Sequence, residues 1–125
     1  MSGKLIDTNI LVYLSKKQLD FDKVAVPGEK LFISVITYME VLGYNFQSNH
    51  EKKYIEEICR NLPVMELERK IVETVIQIRQ QRKIKLPDAI IVATAIVYKL
   101  ELITANVADF AGIDKTLVIT NPLME

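Results

Sequence analysis

Six aspartates and ten glutamates are spread along this 125-residue chain, and four of them sit where their side chains can meet. Asp7 follows the short apolar run Leu5-Ile6 directly. Glu40 lies in the first turns of the helix expected after a second apolar run, Leu31-Phe32-Ile33-Ser34-Val35. Asp88 opens an apolar helix behind Pro87, and Asp109 lies just beyond a strand ending near Thr104. In an open parallel sheet, ligands bind outside the carboxyl ends of the strands, where strand-to-helix turns gather. Four acids at such an edge repel one another unless a proton or a cation neutralises them. The chain has one histidine, His50, and one cysteine, Cys59, so an all-oxygen site suits Mg²⁺ or Mn²⁺ far better than zinc or copper.

Each acid also has a purely structural reading. Asp7 can cap the first helix. Glu40 stands three residues after Thr37, the spacing of a capping box. Asp88 complements a helix dipole from the first turn, and Asp109 is a loop acid near a helix start. None of these readings accounts for four acids at one edge of one sheet.

The elements that must position them alternate between short apolar runs and longer helical patterns. Strands are expected at Lys4-Leu5-Ile6, Leu31 to Val35, Leu102-Ile103-Thr104 and Leu117-Val118-Ile119, without clean polar alternation. Helices are expected over Ile10 to Leu14, from Thr37 to Leu42, from about Glu51 (capped by Ser48 or Asn49) to Pro63, and over Glu68 to Lys83. The last, Ala89 to Leu100, is apolar on almost every side and is expected to be central and buried. The pattern predicts an α/β fold: a short, mostly parallel central sheet with helices on both faces, in three layers.

Length and composition bound the rest. A chain of 14.3 kDa that is half hydrophobic fits a single compact domain over residues 1–125. Sixteen basic and sixteen acidic residues cancel, which argues against a surface that grips duplex nucleic acid indiscriminately. One cysteine excludes an intramolecular disulfide, and no phosphate-binding GxxxxGK[ST] loop is present. Asp7 interrupts any leader-like apolar stretch, and no apolar run reaches the roughly 20 residues of a membrane span, so a cytoplasmic protein is expected.

Four stretches, in order, resemble the PIN-domain nucleases. Asp7-Thr8-Asn9-Ile10-Leu11-Val12-Tyr13 is similar to their opening strand and turn, and Ile36-Thr37-Tyr38-Met39-Glu40-Val41-Leu42-Gly43 to their internal glutamate motif. Pro87 to Ala95 resembles the third acidic motif and Thr104 to Phe110 the last. The length suits the VapC-type toxins of bacterial toxin–antitoxin pairs. Ala105, where the family often has a polar or basic residue, and Lys99-Leu100-Glu101, where it often has glycine, depart from the pattern. The resemblance implies a PIN-like three-layer sandwich and a metal-dependent endoribonuclease. Asp7, Glu40, Asp88 and Asp109 would be its catalytic and metal-holding residues. Thr8 and Asn9 would shape the first turn, and Thr104 and Asn106 would orient Asp109 and a metal-bound water. It also implies an RNA substrate, a cognate antitoxin that blocks the acidic pocket, and a homodimer, for which Tyr13, Tyr38, Tyr44 and Tyr54 are candidate interface residues.

RNA must then reach an acidic pocket on a neutral protein. Arg79, Arg82, Lys83 and Lys85 form the densest basic stretch, immediately before Asp88, and are the candidate phosphate contacts. A phosphoacceptor receiver is excluded because no aspartate lies between Asp22 and Asp88, and an aspartate-based phosphatase because Asn9 stands where its second aspartate is needed. The remaining alternative is a non-catalytic member of the same fold that binds RNA or protein.

Overall fold

A computed structural model describes residues 2–124. The chain opens with strand β1 (Lys4–Ile6), helix α1 (Thr8–Ser15) and a 3-10 turn at Phe21–Lys23. Strand β2 (Leu31–Ser34) runs into α2 (Val35–Leu42), followed by α3 (Asn49–Asn61) and β3 (Val64–Met65). Then come α4 (Arg69–Gln81), α5 (Leu86–Tyr98), β4 (Glu101–Ile103), α6 (Val107–Phe110) and β5 (Ile119–Thr120). The strands pair in the order β3-β2-β1-β4-β5, and every pairing is parallel.

Alternation along the strands decides which helices cover which face. Leu5, Phe32 and Leu102 point to one side, where they pack with α4 and α5. Their neighbours Ile6, Ile33 and Ile103 point to the other and pack with α1 and α3. Helix α5 is buried at every residue from Ala89 to Ala95, so its lack of a polar face matches its place against the sheet. The one hydroxyl in that stretch, Thr94 Oγ1, donates to Ile90 O at 2.7 Å within its own helix.

Local chemistry sets the helix starts. Ser34 Oγ accepts from Ile36 N at 3.1 Å and caps α2, while Ser48 Oγ accepts from His50 N and Glu51 N and caps α3. Pro87 occupies the first turn of α5, where its missing N–H costs nothing. Lys99 ends that helix in the left-handed region, at φ 55°.

Four expectations need correction. Strand β3 falls between Pro63 and Glu68, where no element is expected from sequence; its two residues align with Ile33 and Ser34, a pairing created by the sheet and not by local pattern. The last strand is Ile119–Thr120, shifted toward the C-terminus because Leu102 and Ile103 set its register. The short helix α6 carries Asp109, which was expected in a loop. Helix α4 stops at Gln81, and Arg82 is extended at φ −155°, so Lys83 is not on a helical face shared with Arg79.

The core makes a stability contrast measurable. Leu102 is fully buried, and Leu102→Ala is expected to cost about 2–5 kcal/mol in urea unfolding. On half-exposed Ile76 the same truncation is expected to stay within about 0.5 kcal/mol.

Candidate active site

Strands β1, β2 and β4 end at the same edge of the sheet; β1 passes through Asp7 into α1, β2 runs directly into α2, and β4 leads through a polar turn to α6. Asp7 leaves the central strand in extended geometry and is only 3 % exposed. Its Oδ1 accepts from Thr8 N at 2.7 Å, so it does cap α1. Its Oδ2 accepts from Thr104 Oγ1 at 2.7 Å and from Asn9 Nδ2 at 3.3 Å. One carboxylate therefore ties the end of β1 to the end of β4.

Asn9 and Thr104 reinforce that tie. Asn9 Oδ1 accepts from Ala105 N at 3.2 Å, so the apolar side chain at 105 leaves the backbone contact in place. Thr104 Oγ1 also accepts from Asn106 N at 3.0 Å, fixing the turn that leads to Asp109.

Glu40 does not play the part of a capping-box residue. Helix α2 is capped by Ser34, and Glu40 lies beyond its first turn. The Glu40 Oε1 accepts instead from Thr8 Oγ1 at 2.7 Å, and Thr8 Oγ1 pairs with Thr37 Oγ1 at 3.1 Å. Thr37, fully buried, supports Glu40 through Thr8. Sequence reading took it only as a cap; its position one turn before Glu40, on the same side of α2, was the available signal.

Glu40, Asp88, Asn106 and Asp109 line one cleft of about 780 Å³. Arg79, Lys83 and Lys85 line it as well, whereas Arg82 does not and donates from Nη1 to Ala111 O at 3.1 Å. Asp7 is buried and does not line the cleft. Burial pushes the Asp7 carboxyl above the usual carboxylate range; its bonds from Thr104 and Thr8 oppose this, and the charges of Asp88 and Glu40 add to it. Asp88 is raised too, by burial first and then by the charges of Asp109 and Glu40, with Lys85 opposing. The four acids thus feel one another electrostatically. Among the described residues, no three His, Cys, Asp or Glu side chains are drawn into a closed metal-holding group.

The sequence matches the PIN domain over residues 4–115. No curated protein matches it. Among solved structures, it is similar to a toxin–antitoxin complex from Klebsiella pneumoniae, at 36 % identity and a TM-score of 0.75, over 96 % of this chain and 98 % of that one. It is also similar to VapBC-1 from nontypeable Haemophilus influenzae, at 25 % identity and a TM-score of 0.75, over 98 % of each chain. VapBC2 from Rickettsia felis, bound to a DNA fragment from its promoter, has the same fold at 20 % identity and a TM-score of 0.80, over 97 % of this chain and 98 % of that one.

The raised Asp88 carboxyl has a testable consequence for stability. A folded-state value above the unfolded one means that the native protein holds this proton to higher pH. Stability is therefore lost as pH rises out of the ordinary carboxylate range. In chelator, Asp88→Asn is expected to melt no lower than the parent near pH 7, and any gain should fade toward pH 3, where the parent's Asp88 is largely protonated folded and unfolded alike. A large loss at pH 7 would make Asp88 chiefly a helix-start residue.

Proposed function

Because the chain belongs to the PIN-domain family, we propose that it is a Mg²⁺-dependent ribonuclease, with Mn²⁺ as the substitute ion, and the toxin of a type II toxin–antitoxin pair. The observation that carries this reading is the cleft itself. Three acids from α2, α5 and α6 line it, and a fourth, buried at the end of β1, is coupled to two of them. The donor set fits the ion. It is all oxygen, and neighbouring acids help raise the proton affinity of Asp7 and Asp88, which a cation would relieve. Mg²⁺ keeps several of its waters and takes only one or two carboxylates directly, so an open arrangement suits it.

Asp7, Glu40, Asp88 and Asp109 are the residues that would hold it. Bound there, the cation would make water a better nucleophile and offset charge building on the phosphate. The chain's own side chains do the rest. Thr104, Thr8 N and Asn9 hold Asp7, and Thr8 with Thr37 holds Glu40. Asp88 or Asp109, both facing the cleft, takes up the proton that the attacking water gives up. Arg79, Lys83 and Lys85, on the rim, contact RNA phosphates without reading bases. Asn106, in the same cleft and tied to Thr104, orients Asp109 and would orient a water on the cation.

An antitoxin is the partner this reading requires. The similar structure from Klebsiella pneumoniae is a toxin–antitoxin complex by description, and a cleft lined by three acids attracts an arginine from a partner. For a homodimer, exposed Tyr38, Tyr44 and Tyr54 are available, while half-buried Tyr13 packs against the core. No helix among the described residues is long and apolar enough to cross a membrane.

The purified chain is expected to cleave single-stranded RNA with Mg²⁺ and to stop in chelator. Asp7→Asn and Asp88→Asn are each expected to lower kcat by about 100-fold or more while RNA is still bound. Binding without cleavage in the parent would favour the alternative, a non-catalytic PIN-fold module for RNA or protein.

The rim cations should behave the opposite way. Lys83→Gln with Lys85→Gln should weaken binding to RNAs of any sequence and reduce the salt slope by about 0.7 per cation removed. Cleavage at saturating RNA should fall much less. An unchanged slope would move the RNA path elsewhere.

A further inference from the structure

Thr37 is fully buried on α2, three residues before Glu40 and on the same side of that helix. Its hydroxyl meets Thr8 Oγ1 at 3.1 Å, and Thr8 Oγ1 reaches Glu40 Oε1 at 2.7 Å. Three oxygens therefore form a chain that runs from the sealed interior out to the cleft. A hydroxyl carries one proton, and that of Thr8 goes to the shorter bond, the one to a carboxylate. The 3.1 Å bond is then filled by the proton of Thr37. Cut off from water, that proton stays on Thr8, because a buried donor without an acceptor is costly.

This order matters because Glu40 itself is exposed. A glutamate at a helix surface in water turns freely among its rotamers. Here one of its oxygens, Oε1, is held, and Oε2 is the oxygen left to take a ligand. Asp7 is restrained in a similar way: Oδ1 accepts from Thr8 N, and Oδ2 from Thr104 and Asn9. Thr8 thus ties both acids, one through its amide and the other through its hydroxyl. Divalent cations differ in what they ask of such a pair. Ca²⁺ takes more oxygens and readily binds a carboxylate through both, whereas Mg²⁺ keeps several waters and takes carboxylates sparingly.

We propose that Thr37 sets the cation preference of this site. By locking the Thr8 hydroxyl onto Glu40 Oε1, it leaves Glu40 one oxygen to offer, which favours Mg²⁺ or Mn²⁺ over Ca²⁺. The inference rests on the cation-dependent reading of the cleft and assigns its selectivity to a residue that touches no cation. Thr37 is a positioning residue that acts through Thr8.

The test titrates the full chain with Mn²⁺, follows the electron paramagnetic resonance signal of free Mn²⁺, and then adds Ca²⁺ as competitor. The parent is expected to hold Mn²⁺ more tightly than Ca²⁺. Thr37→Val keeps the branched shape and removes the hydroxyl. It is expected to lower the ratio of Mn²⁺ to Ca²⁺ affinity by about tenfold, the loss typical when the support behind a ligating carboxylate is broken. Thr37→Ser keeps the hydroxyl and removes the methyl, and it is expected to retain the parent's ratio. Thr8 is only half-buried, so Thr8→Val breaks the same chain with less risk to the core and is expected to lower the ratio as far. Circular dichroism melting in chelator separates lost selectivity from lost folding. A ratio unchanged in folded Thr37→Val or Thr8→Val chains would overturn the inference and leave the metal reading standing. So would a ratio lost equally in Thr37→Ser, or a parent that binds Ca²⁺ as tightly as Mn²⁺. A parent that binds no Mn²⁺ at all would overturn the metal reading and this inference together.

Discussion

A carboxylate buried at the end of the central strand is the constraint from which the rest of this edge follows. Asp7 is nearly inaccessible, and a charged group in that position is costly unless donors surround it. Two parts of the chain supply three donors: Thr8 N and Asn9 Nδ2 at the start of α1, and Thr104 Oγ1 just past the end of β4. Satisfying one acid therefore fixes the spacing of β1 and β4 at their carboxyl ends and the direction in which α1 departs. It also orients Thr8, which carries the restraint across to Glu40 and α2.

Neighbouring acids work against that satisfaction. Asp88 and Glu40 push Asp7 upward, and Asp109 and Glu40 do the same to Asp88. A fold selected only for stability would place an asparagine or a lysine among them. The arrangement makes sense where function needs negative charge held ready at the sheet edge and can tolerate the strain in its absence.

Much of this was legible in the sequence because it is local. Ser48 before a polar-apolar helix, Pro87 in a first turn and the unbroken apolar run of α5 each state their structure within a few residues. Asp7, Asp88 and Asp109 could be placed at one edge because each follows a strand or lies near a helix start, and Glu40 because its helix leaves β2 at that edge. What was not legible depends on contacts across the sheet. Strand β3 exists only because β2 offers it a ladder, and the role of Thr37 appears only once Thr8 is brought against it from 29 residues away. Helix α4 was read two residues too long because Arg82 and Lys83 continue a helical composition; the backbone turns extended there so that Ile84 and Leu86 can lead into α5.

That early stop has a consequence for how a neutral chain divides its charge. Were α4 to continue through Lys83, Arg82 and Lys83 would follow the helical surface and stay close together. Instead Arg82 turns to the end of α6, while Lys83 stands on the ridge between the acidic cleft and an aliphatic groove along α4, next to Arg79. A cleft lined by three acids and a groove whose charged lining is wholly basic meet along that ridge. Net charge near zero therefore hides a strongly polarised region. Arg79 and Lys83 face both sides of the ridge, so a charge brought to either side would change the field at the other.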